Sequence, residues 1–170
     1  MRHAVVTACP QRSPHMMKIT EILSPDRVAV DLDLASKKAV LETLAGMLSS
    51  ADPQLKSKEV FDSLLARERL GTTGLGAGIA IPHGRVSTGK ESIGAFLRTG
   101  KPINFDAVDN APVDLFFALC VPEEACQEHL DLLAALASRF SDKHFVDSLR
   151  DAARVDDVFS ALTAANGAQD

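Results

Sequence analysis

The chain has 170 residues, 46% apolar and 24% charged, an ordinary globular composition that supports neither disorder nor membrane residence. No apolar run approaches the roughly 20 residues that a bilayer span needs. The net charge is −5; with Arg2, Arg12 and Lys18 set apart in an acid-free start, the remainder is more acidic still. That balance argues against a general nucleic-acid binder, which needs a cationic face, and fits a basic protein partner.

This length fits one domain with one sizeable core. Residues 1–17 read as a flexible extension, with Pro10, Pro14 and no signal-like apolar stretch, and Met16 or Met17 offers an alternative start. Cys9, Cys120 and Cys126 are odd in number and lack C-x-x-C spacing. Cys120 lies in an apolar run and reads as a buried reduced thiol, which points to a cytoplasmic protein.

From Lys18 to Ser24 the pattern is a short helical turn or edge segment ended by Pro25. Arg27 to Leu32 alternates and is β-branched, as a strand does. Ser36 is placed to cap a helix whose stripe is Val40, Leu41, Leu44, Met47 and Leu48. A second helix opens near Ser57, buries Val60, Phe61, Leu64 and Leu65, and ends at Gly71 as the C′ residue. Its last turn holds Arg67 and Arg69, at the end where cations suit the helix dipole. A glycine loop and a strand over 78–81 follow, then a strand over 92–97 and turn chemistry at 109–112. Residues 113–121 are almost wholly apolar, as in a central strand covered on both faces, and Pro122 closes them. Glu123 and Glu124 suit a helix N-terminus, and the helix continues with Leu130, Leu133, Leu136, Ala137 and Phe140, with His129 in its first or second turn. Two further helical segments carry Phe145, Val146 and Leu149, then Val155, Val158, Phe159 and Leu162; residues 166–170 fray. The alternation predicts a single-domain α/β sandwich, a mixed central β-sheet flanked by helices on both faces. No crossover helix separates His83 from Ile93, which disfavours a purely parallel sheet.

The most unusual stretch runs from Gly71 to Val86. Four of the ten glycines fall between Gly71 and Gly78, and Ile79-Ala80-Ile81-Pro82-His83-Gly84 follows. A dinucleotide fingerprint needs strand, loop, helix; here the order is helix, loop, strand. Gly89-Lys90-Glu91 fails as a P-loop, the scattered histidines lack zinc spacing, and no G-x-S-x-G elbow occurs. Neither a metal nor a cofactor is expected. What remains is His83, a nucleophilic imidazole after a rigid proline, with Gly84 leaving one side of the ring open. Thr72, Thr73, the loop amides and Arg67 are the donors within reach for an anion. A tight loop entering a buried strand, with an incidental histidine, is the competing reading.

The run Gly71-Thr72-Thr73-Gly74 … Gly78-Ile79-Ala80-Ile81-Pro82-His83-Gly84 resembles the phosphorylation motif of enzyme IIA domains, fructose/mannitol class, of the bacterial phosphoenolpyruvate-dependent phosphotransferase system. The similarity spans about residues 18–163, within a domain expected over 18–165. Arg67-Glu68 and His129-Leu130 stand where that family has its other active-site residues. Phe105-Asp106-Ala107 and the run 112–122 resemble its nitrogen-regulatory branch.

The resemblance implies a phosphocarrier rather than an enzyme that turns over a small substrate. His83 would accept a phosphoryl group through Nε2 from an HPr-type carrier, as a tele-phosphohistidine. Arg67 would stabilise the group in flight, and His129 would line the pocket. Thr72, Thr73 and Gly84 would position phosphate. Regulatory targets such as potassium-transport or sensor-kinase proteins are implied, with no nucleic acid and no membrane insertion. A sugar-transport IIA subunit serving a IIB protein, and a binding module that never carries phosphate, remain open.

Overall fold

The computed structural model describes residues 19–87, 91–124 and 127–164. The extension at 1–17, the tail at 166–170, Cys9, Cys126, His3 and His15 lie outside them. α1 (Ile19–Ile22) and a 3-10 turn (Pro25–Arg27) lead into β1 (Val28–Leu32). α2 (Lys37–Ser49) starts where the hydroxyl of Ser36 accepts from the Ala39 amide, as its capping position requires. Val40, Leu41, Leu44, Ala45 and Leu48 of α2 are buried. α3 (Ser57–Leu70) buries Val60, Leu64 and, one further turn on, Glu68.

Among the described residues, the sheet has six strands. β2 (Gly74–Gly76) and β3 (Ile79–Ala80) form an antiparallel hairpin; β4 is His83–Val86, β5 Ile93–Ile103 and β6 Val113–Pro122. The order is β1-β5-β6-β3-β2, with β4 also pairing with β6. β6 runs antiparallel to β5 but parallel to β3 and β4, so the sheet is mixed. β3 and β4 dock on successive lengths of β6: Ile79 faces Leu115, and His83 faces Leu119.

The strand pleat sorts the apolar run into two cores. Phe116, Ala118 and Cys120 join Ala95, Leu97 and the stripes of α2 and α3. Leu115, Phe117, Leu119 and Val121 join Phe96 and the second layer, formed by α1, α4 (Gln127–Phe140), α5 (Lys143–Asp151) and α6 (Val155–Thr163). Helices therefore cover both faces, as the sequence predicts. The Cys120 thiol is buried, and desolvation pushes its pKa up to about 12.

Three expectations change. Gly71 has φ 163°, which is extended backbone rather than the left-handed C′ conformation; α3 ends with the Gly71 amide on the Glu68 carbonyl. Glu123 and Glu124 precede α4, which starts at Gln127. The glycine loop is a hairpin turn, with Gly76, Ala77 and Gly78 at φ 98°, 56° and 82°. Asp109 accepts from the Ala77 amide at 2.9 Å, and Arg150 donates to the Ala77 carbonyl at 2.8 Å. A Cβ on Gly78 would collide with the Arg150 guanidinium. His83 stands five positions after Gly78, about 16 Å of extended chain at 3.3 Å per step. The turn is thus built for α5 and β6, and it is Thr73, before the hairpin, that bonds to Ile81, two residues short of His83.

Candidate functional site

His83 opens β4, opposite Leu119, so its ring shares the face that α4 covers. Its Nδ1 lies 2.9 Å from the Ile81 carbonyl oxygen. A carbonyl can only accept, so the proton sits on Nδ1 and the Nε2 lone pair is left free. Burial lowers the pKa of His83; the bond to Ile81 opposes this, the charge of Arg67 lowers it further, and that of Glu68 raises it. The ring is neutral at pH 7, the state that makes imidazole a nucleophile.

His129, in the first turn of α4, lies with its ring centroid 5.5 Å from that of His83. It is only 7% exposed, and its buried Nδ1 has no hydrogen-bond partner among the described residues. Burial first, then the charges of His83 and Arg85, push its pKa down to about 4. Two imidazoles, both held toward the neutral form, thus lie side by side, one under the charge of Arg67 and the other under that of Arg85. Sequence reasoning missed Arg85. The strand period places it on the same face as His83, two residues on, and that was the available signal.

Arg67 reaches this place because α3 approaches β4 closely. The Ser63 hydroxyl donates to the Arg85 carbonyl at 2.7 Å, and a Cβ on Gly84 would strike Ser63. Gly84 therefore serves the α3 contact on the opposite face of the strand from the His83 ring. Arg67 follows Ser63 by one helical turn and its Nη1 donates to the Gly71 carbonyl at 2.9 Å.

The two threonines are engaged elsewhere. The Thr72 hydroxyl donates to the Phe105 carbonyl at 3.2 Å and accepts from the Gly74 amide at 3.0 Å. The Thr73 hydroxyl donates to Glu68 at 2.6 Å. Each hydroxyl has a single proton, so neither is a free donor in this state. His144 is exposed on α5, away from the core.

A neutral imidazole with its lone pair on Nε2, beside a second imidazole whose buried Nδ1 has no partner among the described residues, and under the charge of two arginines, suits an electrophile that carries negative charge. Residues 21–165 match the family model for the phosphoenolpyruvate-dependent sugar phosphotransferase system, EIIA 2. The chain belongs to that family. The nitrogen regulatory protein of Pseudomonas aeruginosa is 40% identical over 154 residues, 91% of this chain and 100% of the relative. The crystal structure of nitrogen regulatory protein IIA-Ntr from Neisseria meningitidis is 44% identical and superposes with a TM-score of 0.80, covering 85% of this chain and 99% of that one. The IIA chain in the complex of enzyme IIAMtl with phosphorylated enzyme IIBMtl from Escherichia coli is 20% identical, with a TM-score of 0.69 over 82% of this chain and 96% of its own. At that identity it shows a common fold alone. The nitrogen-regulatory likeness expected from residues 105–107 and 112–122 agrees with the names of the more similar relatives. Among the described residues of this EIIA 2 domain, no helix is long and apolar enough to cross a membrane.

Proposed function

We propose that this protein is a cytoplasmic phosphocarrier, phosphorylated on Nε2 of His83 by an HPr-type carrier, that regulates partner proteins through its phosphorylation state. The observation that carries the proposal is the Nδ1 contact with the Ile81 carbonyl, which leaves Nε2 as the only free nucleophile of the ring. In the transfer, the Nε2 lone pair forms the new N–P bond as the N–P bond of the donor phosphohistidine breaks. Its electron pair returns to the donor ring. The proton on Nδ1 stays, and the positive charge gained by the His83 ring is shared with the Ile81 carbonyl.

Arg67 and Arg85 supply positive charge near the equatorial oxygens, and the buried His129 is the third group facing them. For Thr72 and Thr73 the reading is a backbone role, since their hydroxyls are bound to Phe105 and Glu68. A dianion on His83 reverses the local charge and so discriminates between partners, for which potassium-transport and sensor-kinase proteins are the family precedent. The functional unit is residues 18–165.

The second reading is a sugar-transport IIA subunit that hands phosphate to a IIB protein. It draws support from the more distant mannitol enzyme, whose complex contains phosphorylated IIB. Incubation with phosphoenolpyruvate, enzyme I and an HPr-type carrier tests both. Acid-labile, base-stable label on the wild type, absent from His83→Ala, supports the proposal; no label on the wild type removes it. Onward labelling of a cysteine-bearing IIB protein moves the protein to the second reading.

A further inference from the structure

The buried stripe of α3 contains Val60, Leu64 and Glu68, four residues apart. The helical period calls for a third apolar residue, and the chain supplies a carboxylate that is only 6% exposed. A carboxylate taken out of water is unfavourable unless it is paired and hydrogen-bonded. Both conditions are met. Lys37, the first residue of α2, brings its Nζ to 3.0 Å from Oε1. The Thr73 amide donates to Oε1 at 3.1 Å, and the Thr73 hydroxyl donates to Oε2 at 2.6 Å.

Stability alone does not call for this arrangement, because a buried ion pair is often replaced by apolar side chains without loss. The arrangement does fix Thr73 through two separate groups. Thr72, the residue before it, is held as well, by the Phe105 carbonyl that Lys37 Nζ also approaches, at 3.4 Å. The segment between α3 and β2 is thus secured at consecutive residues by groups from outside the hairpin.

From Thr73 the hydrogen bonds continue toward the site. The Thr73 carbonyl accepts from the Ile81 amide at 3.1 Å. The Ile81 carbonyl accepts from His83 Nδ1 at 2.9 Å. Pro82, between them, limits the backbone on either side and leaves the Ile81 carbonyl little freedom to turn away.

We propose that Glu68 is a positioning residue for the phosphoryl acceptor: by holding Thr73 it fixes Ile81, whose carbonyl keeps the His83 proton on Nδ1 and leaves Nε2 bare. The inference rests on the reading of His83 as the phosphorylated residue. Glu68 touches neither phosphate nor imidazole; it acts through the strand. Its charge works in the same direction, because an anion in the helix end favours the positive ring that forms when Nε2 bonds to phosphorus.

The test combines ¹⁵N NMR of the histidine side chains in the unphosphorylated full chain with the rate of phosphoryl acceptance from a phosphorylated HPr-type carrier. Glu68→Gln keeps the volume but loses the charge and the strong acceptor for Thr73. Its expected result is a mixed His83 tautomer in place of nearly pure Nδ1–H, and acceptance slower by about tenfold. Thr73→Val removes only the hydroxyl bond and should produce a smaller change in both readouts; it decides the matter if Glu68→Gln fails to fold. Glu68→Asp, which keeps the charge with a shorter reach, should recover part of the rate. A folded Glu68→Gln protein with the wild-type tautomer overturns the inference, whether or not its rate changes. A wild type that accepts no phosphate overturns the parent reading, and the tautomer measurement still decides the role of Glu68 in holding the ring.

Discussion

Ser63 on α3 and Gly84 on β4 meet so closely that any side chain at position 84 would overlap Ser63. This contact brings the end of α3 to the strand that carries His83, and it explains how a helix-end arginine comes to influence an imidazole 16 positions away in sequence. The same strand residue pair also separates two tasks. His83 faces α4 and Gly84 faces α3, because successive strand residues point to opposite sides of the sheet.

Gly84→Ala should therefore lower stability by about 1–3 kcal/mol, the usual range for overpacking a close contact. It should also slow phosphoryl acceptance, because α3 must move away and take Arg67 with it. Urea unfolding and transfer assays measure the two effects. Adding Ser63→Gly should restore part of both, and a double variant with no recovery would show that the contact is not the cause.

Arg67→Ala should leave stability nearly unchanged, since its visible bond is a single half-exposed contact with the Gly71 carbonyl. Phosphoryl acceptance should fall by about 100-fold, the lower end of the loss for a missing transition-state donor. Arg67→Lys should recover some of the rate by charge alone. Unchanged rates in Arg67→Ala would remove this residue from the mechanism.

His129 gives stability a pH dependence of definite sign. Its pKa is pushed down to about 4, below the ordinary histidine value of 6.5, so the unfolded chain takes up a proton before the folded one. Its contribution is complete above about pH 6.5 and is lost as pH falls toward about 4, up to about 3 kcal/mol in all. His83, also shifted downward, adds in the same direction. Urea midpoints between pH 7.5 and 4 should fall more steeply in the wild type than in His129→Asn. Equal slopes would show that His129 is not held neutral by burial.

Gly78→Ala tests the separation between the hairpin turn and the site. The new Cβ meets Arg150 and Asp114, and φ is 82°, so the loss of stability should be about 1–3 kcal/mol. Acceptance at His83, measured well below the melting temperature, should match the wild type. A selective loss of rate in a folded protein would return the turn to the site.

Local pattern was enough for most of the elements. Ser36 caps α2, the run 113–122 is the central strand, and the stripes of α2, α5 and α6 face the sheet, because capping and apolar period act over a few residues; α4 departs in its first turns, where Leu130 is exposed and Leu132 is buried instead. It was not enough for the glycines. α3 does end at Gly71, but the pattern predicts a left-handed residue there, loop amides facing an anion around Gly76 and Gly78, and an open ring face at Gly84. Glycine records only that a side chain is excluded, and what excludes it comes from elsewhere in the chain: Arg150 and Asp114 at Gly78, Ser63 at Gly84.

The sequence by itself determined a mixed α/β sandwich, set a histidine between proline and glycine as the candidate nucleophile, and carried the motif by which the chain resembles a family of phosphotransferase-system domains. Those conclusions rest on periodicity, residue chemistry and motif order, all of which are local. Tertiary structure alone decided which nitrogen of His83 is free, that the His129 ring lies beside it, and that the hydroxyls of Thr72 and Thr73 are bound to Phe105 and Glu68. Each of these depends on a hydrogen bond or a desolvation that arises only when α3, α4 and β4 converge, and no neighbour in sequence encodes that convergence.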